Sequence, residues 1–231
     1  YKIYNNGYDE NVNSLDDMIK HAHEVAAGGL VGKMTGGSLV GGTAPDISGI
    51  NVGGLVGYLG KDRDSNGTDK GYTRAPNSGE TGGQFGIVYD DNKEPEIGDA
   101  KGEAPPTGGN VRLTGKGFAG AYVGVMNGGV INSVKSADGS KVTAEKTGNS
   151  FENTETYLGG AIGAIVGVTS DVKSGNFQAN VVEGGEFAGG LAGYFSANAS
   201  WELTGTFGLE KISGACYVGG RFGRVDEGIF D

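Results

Sequence analysis

Residues 62–69 read Asp62-Arg63-Asp64-Ser65-Asn66-Gly67-Thr68-Asp69. Short oxygen-bearing side chains at alternate positions, with a glycine turn, can wrap a hard cation in oxygen ligands, and the run matches the first half of a calcium loop. Asp62, Asp64, Asn66 and Asp69 are therefore candidate calcium ligands. The second half departs from the EF-hand pattern: Thr73 stands where a bidentate Glu would close the loop, and no flanking helices are indicated. The competing expectation is a plain polar turn. A second acidic run, Asp90, Asp91, Glu94, Glu96 and Asp99, reads first as a solvated charge cluster and second as a metal site.

The chain's only histidines stand in His21-Ala22-His23-Glu24. An i, i+2 pair points to different sides of a helix, and no His-Glu-x-x-His run follows, so zinc chemistry is not indicated. An exposed helix face is expected for both. Cys216 is the single cysteine; it cannot form an internal disulfide and is expected as a buried structural thiol. No nucleophile elbow, phosphate loop or dinucleotide fingerprint occurs. No acidic pair recurs at a fixed spacing, which argues against the carboxylate chemistry of β-helical polysaccharide lyases and hydrolases. The expectation is a chain that is not an enzyme.

Bulk properties narrow the partners. A net charge of −10 over 231 residues argues against nucleic acid and anionic membrane surfaces. It suits an extracellular or cation-binding protein. The longest nearly apolar run, Tyr157 to Thr169, is too short to span a bilayer, so no membrane insertion is expected. Residue 1 is Tyr and no signal-peptide pattern follows, so the chain reads as a mature or excised piece of something longer. Glycine is far above the usual share, 48 residues, with only 5 prolines and no Gly-X-Y period, which excludes collagen. Disorder is disfavoured because apolar residues hold fixed places within repeats.

Those places define an eight-residue block that recurs six times. It begins at Ala26, Asn51, Phe118, Tyr157, Phe187 and Tyr217; its third and seventh positions are Gly in every copy. The third-position glycines fall at 28, 53, 120, 159, 189 and 219. The last steps are ~30 residues, a period that marks a stacked repeat architecture. Taken as a strand, the block sends positions two, four and six to an apolar interior, as in Val52, Gly54 and Val56. Positions one, three, five and seven then face outward. Glycine weakens an isolated strand; repeated at one position it marks close backbone approach. A glycine-zipper helix is disfavoured, because each glycine would cost ~0.8–1.0 kcal/mol relative to Ala. In-register stacking would bring Phe118, Tyr157, Phe187 and Tyr217 into one ladder. That ladder is either a packed corner or a strip that binds sugar or protein.

The tetrads Gly29-Leu30-Val31-Gly32, Gly54-Leu55-Val56-Gly57 and Gly190-Leu191-Ala192-Gly193 resemble the Gly-Leu-hydrophobic-Gly signature of GLUG-motif repeats. Gly160-Ala161-Ile162-Gly163, Ala121-Tyr122-Val123-Gly124 and Gly220-Arg221-Phe222-Gly223 look like degenerate copies, and residues 123–132 are similar to the segment that follows the family's tetrad. The resemblance covers most of residues 26–225. It implies a repeat scaffold of large bacterial cell-surface and secreted proteins, adhesins among them. It does not imply a ligand.

The ends and one insertion complete the reading. Leu15, Met18, Ile19, Ala22, Val25 and Ala26 carry helical spacing, which predicts a helix over 13–26, capped by Ser14 or Asn13. Within an N-terminal unit of residues 1–25, this helix is expected to cap an open coil end. Its overlap with the first block makes that copy a candidate remnant. Residues 60–113 hold four of the five prolines and read as a polar insertion within residues 26–231. The expected fold is all-β: a β-solenoid of Gly-rich repeats with an N-terminal capping helix. The expected role is a non-catalytic module of a bacterial surface protein, extracellular or wall-anchored, binding host protein or glycan or serving as a stalk. The alternatives are a self-assembling filament subunit and a carbohydrate-active β-helix enzyme.

Overall fold

The computed structural model describes residues 12, 14–74, 88–89, 92, 94–98, 105–136, 139–145, 154–167, 170–172, 176–177, 181–196, 201–203, 206–207 and 209–226. Among these the chain is mostly β, with parallel sheets and one helix. Each eight-residue block is two strands and a corner, not the single strand expected. In the second copy Val52–Gly53 and Val56–Gly60 are separate strands, with Gly54 and Leu55 between them. The first strands of all six copies form one six-stranded sheet and the second strands form another. Pairing is parallel and matches block position to block position: Val52 faces Ala119, Ala119 faces Leu158, Leu158 faces Ala188, and Ala188 faces Val218.

The corner explains the burial pattern. The Tyr122 carbonyl accepts from both Leu55 N and Val56 N at 2.9 Å. The Leu55, Ala161, Leu191 and Arg221 carbonyls each accept the same pair of amides from the preceding copy. This double acceptance breaks the pleat, so position five turns inward. Leu55, Tyr122, Ala161 and Leu191 share one buried cluster with Val52 and Val56. The expectation that position five faces outward is thus corrected, and positions two and six do line the interior.

The invariant glycines serve close approach. A Cβ on Gly57 would lie 2.6 Å from Ala27 N, and one on Gly193 would lie 2.6 Å from Leu158 N. A seventh-position side chain would therefore enter the backbone of the preceding copy. A Cβ on Gly53 or Gly159 would collide with the carbonyl of its own block's sixth residue, Val56 or Ile162.

Two further five-stranded parallel sheets carry the inter-block strands. One contains Ser38–Leu39, Glu96–Ile97, Gly129–Ile131, Ser170–Val172 and Trp201–Leu203. The other contains Ile47–Gly49, Val111–Leu113, Lys141–Ala144, Val181–Glu183 and Lys211–Ser213. Residues 60–113 are accordingly not all insertion. Glu96–Ile97 and Val111–Leu113 complete the second repeat, and Ile97 and Leu113 are fully buried. The excursion proper includes the antiparallel pairs Asp62–Arg63 with Asp69–Gly71 and Thr73–Arg74 with Val88–Tyr89. The first block is a full member and no remnant: Ala27 pairs with Val52 and Val31 with Val56.

The helix spans Leu15–His21, shorter than the sequence pattern. Ser14 caps it, its Oγ accepting from Asp17 N at 3.1 Å. It stops early because the chain must leave the helix to enter the sheet at Ala27, and Asn51 Nδ2 holds the Val25 carbonyl at 2.7 Å. Met18 and Ala22 bury in an outer cluster with Tyr58, Phe118, Val125 and Tyr157. The helix therefore joins the lateral aromatic cluster and not the interior one. Among the described residues no helix is long and apolar enough to cross a membrane.

Candidate functional site

The aromatic ladder forms. The ring centroids of Phe118 and Tyr157 lie 5.2 Å apart, those of Tyr157 and Phe187 4.7 Å, and those of Phe187 and Tyr217 4.9 Å. The last two pairs are within 6° and 10° of parallel. Parallel in-register strands dictate this, since equal block positions stack along the sheet. The four rings do not present one strip to solvent. Phe118 and Tyr157 are fully buried, Phe187 is half-buried, and Tyr217 is 57% exposed. Only the last rungs can meet a partner.

Block position eight faces the ladder across the corner. Tyr58, Val125, Ala164 and Tyr194 fill it in copies two to five, and Arg224 does so in copy six. Arg224 donates to both Asp226 carboxylate oxygens at 2.8 and 2.9 Å and to Tyr157 Oη at 3.3 Å. Its guanidinium also lies 5.7 Å from the Phe187 centroid. The hydrogen bonds to Asp226 hold the guanidinium firmly protonated. Tyr194 donates to Asp226 Oδ2 at 3.2 Å; burial, with the Asp226 charge behind it, pushes its phenol up to about 12. Burial likewise raises the Tyr157 and Tyr58 phenols. The cluster is a charge-capped end to an aromatic core.

The four calcium candidates do not converge. Asp62 pairs with Lys33. Asp64 Oδ1 accepts from Asn66 N at 2.8 Å and Thr68 N at 3.0 Å, closing the turn. Those backbone amides, Thr68 first, hold the Asp64 carboxyl below the usual range. Asp69 Oδ1 accepts from Arg63 Nε at 2.8 Å and Asn127 Nδ2 at 2.9 Å. Asn66 is exposed at the tip. Among the described residues no three His, Cys, Asp or Glu side chains are placed to hold a metal ion. The geometry is a polar hairpin that braces the helix: Arg63 Nη1 donates to the Ile19 carbonyl at 2.9 Å, and Asn127 Nδ2 donates to Tyr58 Oη at 3.0 Å. Of the second acidic run, Asp90, Asp91 and Asp99 lie outside the described residues. Glu94 accepts from Tyr72 Oη at 3.3 Å.

Two further expectations are corrected. His23 is buried, with Nδ1 3.0 Å from the Lys20 carbonyl and its ring edge-on to Tyr58. Burial lowers its pKa. Cys216 is exposed, beside the outermost strand of its sheet, Tyr217–Gly219.

One concave feature escaped the sequence reading. A cleft of about 450 Å³ lies over the strands Ile47–Gly49, Val111–Leu113 and Lys141–Ala144. Asp46, Asn110, Arg112, Lys141 and Thr143 line it. Asp46 Oδ1 accepts from Asn110 N and Nδ2 at 2.9 and 3.0 Å, and Asn110 Oδ1 accepts from Lys141 N at 2.9 Å. The signal was present: Asp46-Ile47-Ser48, Asn110-Val111-Arg112 and Lys141-Val142-Thr143 each set polar residues around one buried apolar residue. No family model, curated protein or solved structure matches this chain.

Proposed function

We propose that this chain is a β-solenoid module of the GLUG-repeat kind, serving display or adhesion on the surface of a bacterial cell. The observation that carries the reading is the strand order: all six blocks add to both corner sheets in parallel and in chain order. Such a stack is quasi-one-dimensional and grows by repetition, which suits a stalk. Among the described residues several charged side chains brace the fold: Asp69 on Arg63, Asp226 on Arg224, Asp62 on Lys33. Recognition is assigned to the cleft over Asn110, Arg112 and Lys141. Its mixed charges and braced amide suit a hydroxyl- and carboxylate-bearing glycan or a polar face of a host protein.

The test is a screen of the purified chain on glycan and host-protein arrays, with the double variant Arg112→Ala/Lys141→Ala beside it. A specific hit that the double variant loses supports the reading. A hit unchanged by the variant removes the cleft from recognition. Turnover of an acidic polysaccharide would replace the module with an enzyme.

A further inference from the structure

The cleft over Asn110, Arg112 and Lys141 continues into a row of side chains along the stack. The strands Val111–Leu113, Lys141–Ala144, Val181–Glu183 and Lys211–Ser213 pair in parallel and in that order. The register sets Lys141 beside Val181, and Val181 beside Lys211. Strand alternation sends all three to the outer face: the next residues, Val142 and Val182, are fully buried, and Ile212 packs against the interior cluster. Lys141 and Lys211 are exposed and Val181 is half-buried between them. The two lysines therefore stand on one face, two strand spacings or ~9.6 Å apart.

Charge is arranged along this row. Arg112 and Lys141 both line the cleft, on adjacent strands. Among the described residues no acid lies within ion-pair distance of Lys141. Arg112 pairs with Glu145 at 2.9 Å and Lys211 with Glu183 at 3.7 Å, both on the exposed surface. Exposed pairs of this kind contribute little, so a competing anion can take the place of either carboxylate at small cost. Asp46, the acid in the cleft lining, is held by the backbone N and Nδ2 of Asn110. Among the described lining residues none is aromatic, so a neutral sugar finds no ring to stack on. Selection in this cleft falls to charge and to hydroxyl contacts.

We propose that this face takes a linear acidic glycan, lying along the stack, in which carboxylate-bearing and neutral sugars alternate. One carboxylate sits at Arg112 and Lys141, the neutral sugar rests on Val181, and the next carboxylate reaches Lys211. The separation of the two lysines is close to the length of one disaccharide in an extended glycan, so the row matches one anion per disaccharide. A carboxylate on every sugar would set a charge over Val181, where the row offers no cation. Arg112 brings a planar fork of donors to the first carboxylate, and Lys141 and Lys211 act as point charges. Recognition by exposed cations is screened by salt, so affinity falls as ionic strength rises. The proposal rests on the cleft being the recognition site; it adds the class of ligand and the second contact at Lys211.

The experiment is titration calorimetry of the full chain with three probes. They are hyaluronan octasaccharide, which carries one carboxylate per disaccharide, the same oligosaccharide after carboxyl reduction, and a galacturonate octasaccharide, which carries one on every sugar. The hyaluronan probe is expected to bind, and the other two to bind about tenfold more weakly or worse, the worth of a hydrogen bond to a charged group. Lys211→Gln should weaken the hyaluronan probe by about the same factor, and Lys211→Arg should retain it. Glu183→Gln, which removes the acid paired with Lys211, should strengthen it. These are exposed side chains, and thermal melting checks that each variant is folded. Equal binding of the carboxyl-reduced probe, or an affinity that Lys211→Gln leaves unchanged, overturns the proposal. If Arg112→Ala/Lys141→Ala still abolishes binding of the reduced probe, the cleft remains the recognition site and only the ligand class falls. Silence with all three probes also overturns the proposal, while a host-protein hit lost in that double variant leaves the cleft in place.

Discussion

The phenol ring of Tyr157 stacks on Phe187 at 4.7 Å between centroids and within 6° of parallel, and Arg224 closes the pair from above. Three segments of the chain meet here: the fourth block, the fifth block and the last described strand, Phe222–Val225. The stack lies outside the interior core, so the molecule has two hydrophobic clusters and the second depends on aromatic register. Tyr157→Ala should remove ~3–5 kcal/mol of stability, the range for emptying a buried aromatic site. Tyr217→Ala, at the exposed end of the ladder, should cost under ~1 kcal/mol. Urea denaturation of the two variants checks the contrast. Equal losses would show that the ladder does not organise the fold.

The helix contributes to the same cluster. Met18 is fully buried against it, and the Arg63 guanidinium ties the Ile19 carbonyl to the hairpin. Met18→Ala should destabilise by ~2–5 kcal/mol. The loss should come with exposure of the Tyr58 ring, read as faster quenching of tyrosine fluorescence by iodide. A helix that merely covered a coil end would leave Tyr58 protected.

Calcium should not move the melting temperature beyond the effect of matched ionic strength. Asp62, Asp64 and Asp69 already hold Lys33, two backbone amides, and the Arg63–Asn127 pair, so ligating a cation would require breaking these contacts. Asp69→Ala should instead cost ~1–3 kcal/mol, because it leaves Arg63 and Asn127 without their shared acceptor. Thermal melts with millimolar calcium and with matched sodium chloride decide the first point; the Asp69→Ala melt decides the second.

Much of this architecture was legible in spacing alone. Gly53, Gly120, Gly159, Gly189 and Gly219 mark the same place in successive copies, and the ladder through Phe118, Tyr157, Phe187 and Tyr217 follows from that register. The corner was not legible, because alternation assumes an unbroken pleat. Only the paired amides on the Tyr122 carbonyl show that Leu55 turns inward. The bounds of the second repeat were hidden by the charged excursion, which separates Val56–Gly60 from Glu96–Ile97 in sequence but not in the sheet order. The Asp62–Asp69 run left two expectations open, a cation loop and a polar turn, for a different reason. Oxygen ligands spaced for a cation serve a tight hairpin equally well, and the partners Lys33 and Asn127 are remote in sequence. His23 was placed on an exposed face because helical periodicity was carried past His21, where the helix ends.

The buried phenols and His23 set the pH limits of the fold. Tyr194 titrates at about 12 in the folded chain, pushed up by burial and by Asp226, against ~10 for an unfolded tyrosine. The folded state therefore keeps a proton that the unfolded state releases. The stabilising term is whole below pH ~10 and is lost as pH rises toward the folded value. Tyr58 and Tyr157 shift in the same direction and add to the loss. On the acid side the sign reverses. Burial holds His23 below its ordinary pKa, so the unfolded chain takes up a proton first and stability falls as pH drops below ~6.5. Urea midpoints should hold a plateau between these limits and decline on both sides. The alkaline decline should coincide with a cooperative component in the tyrosinate absorbance at 295 nm. Tyr194→Phe should soften the alkaline limb and leave the acid limb alone, while His23→Gln should do the opposite. A tyrosinate rise with no component tied to unfolding would show that Tyr58, Tyr157 and Tyr194 are open to solvent.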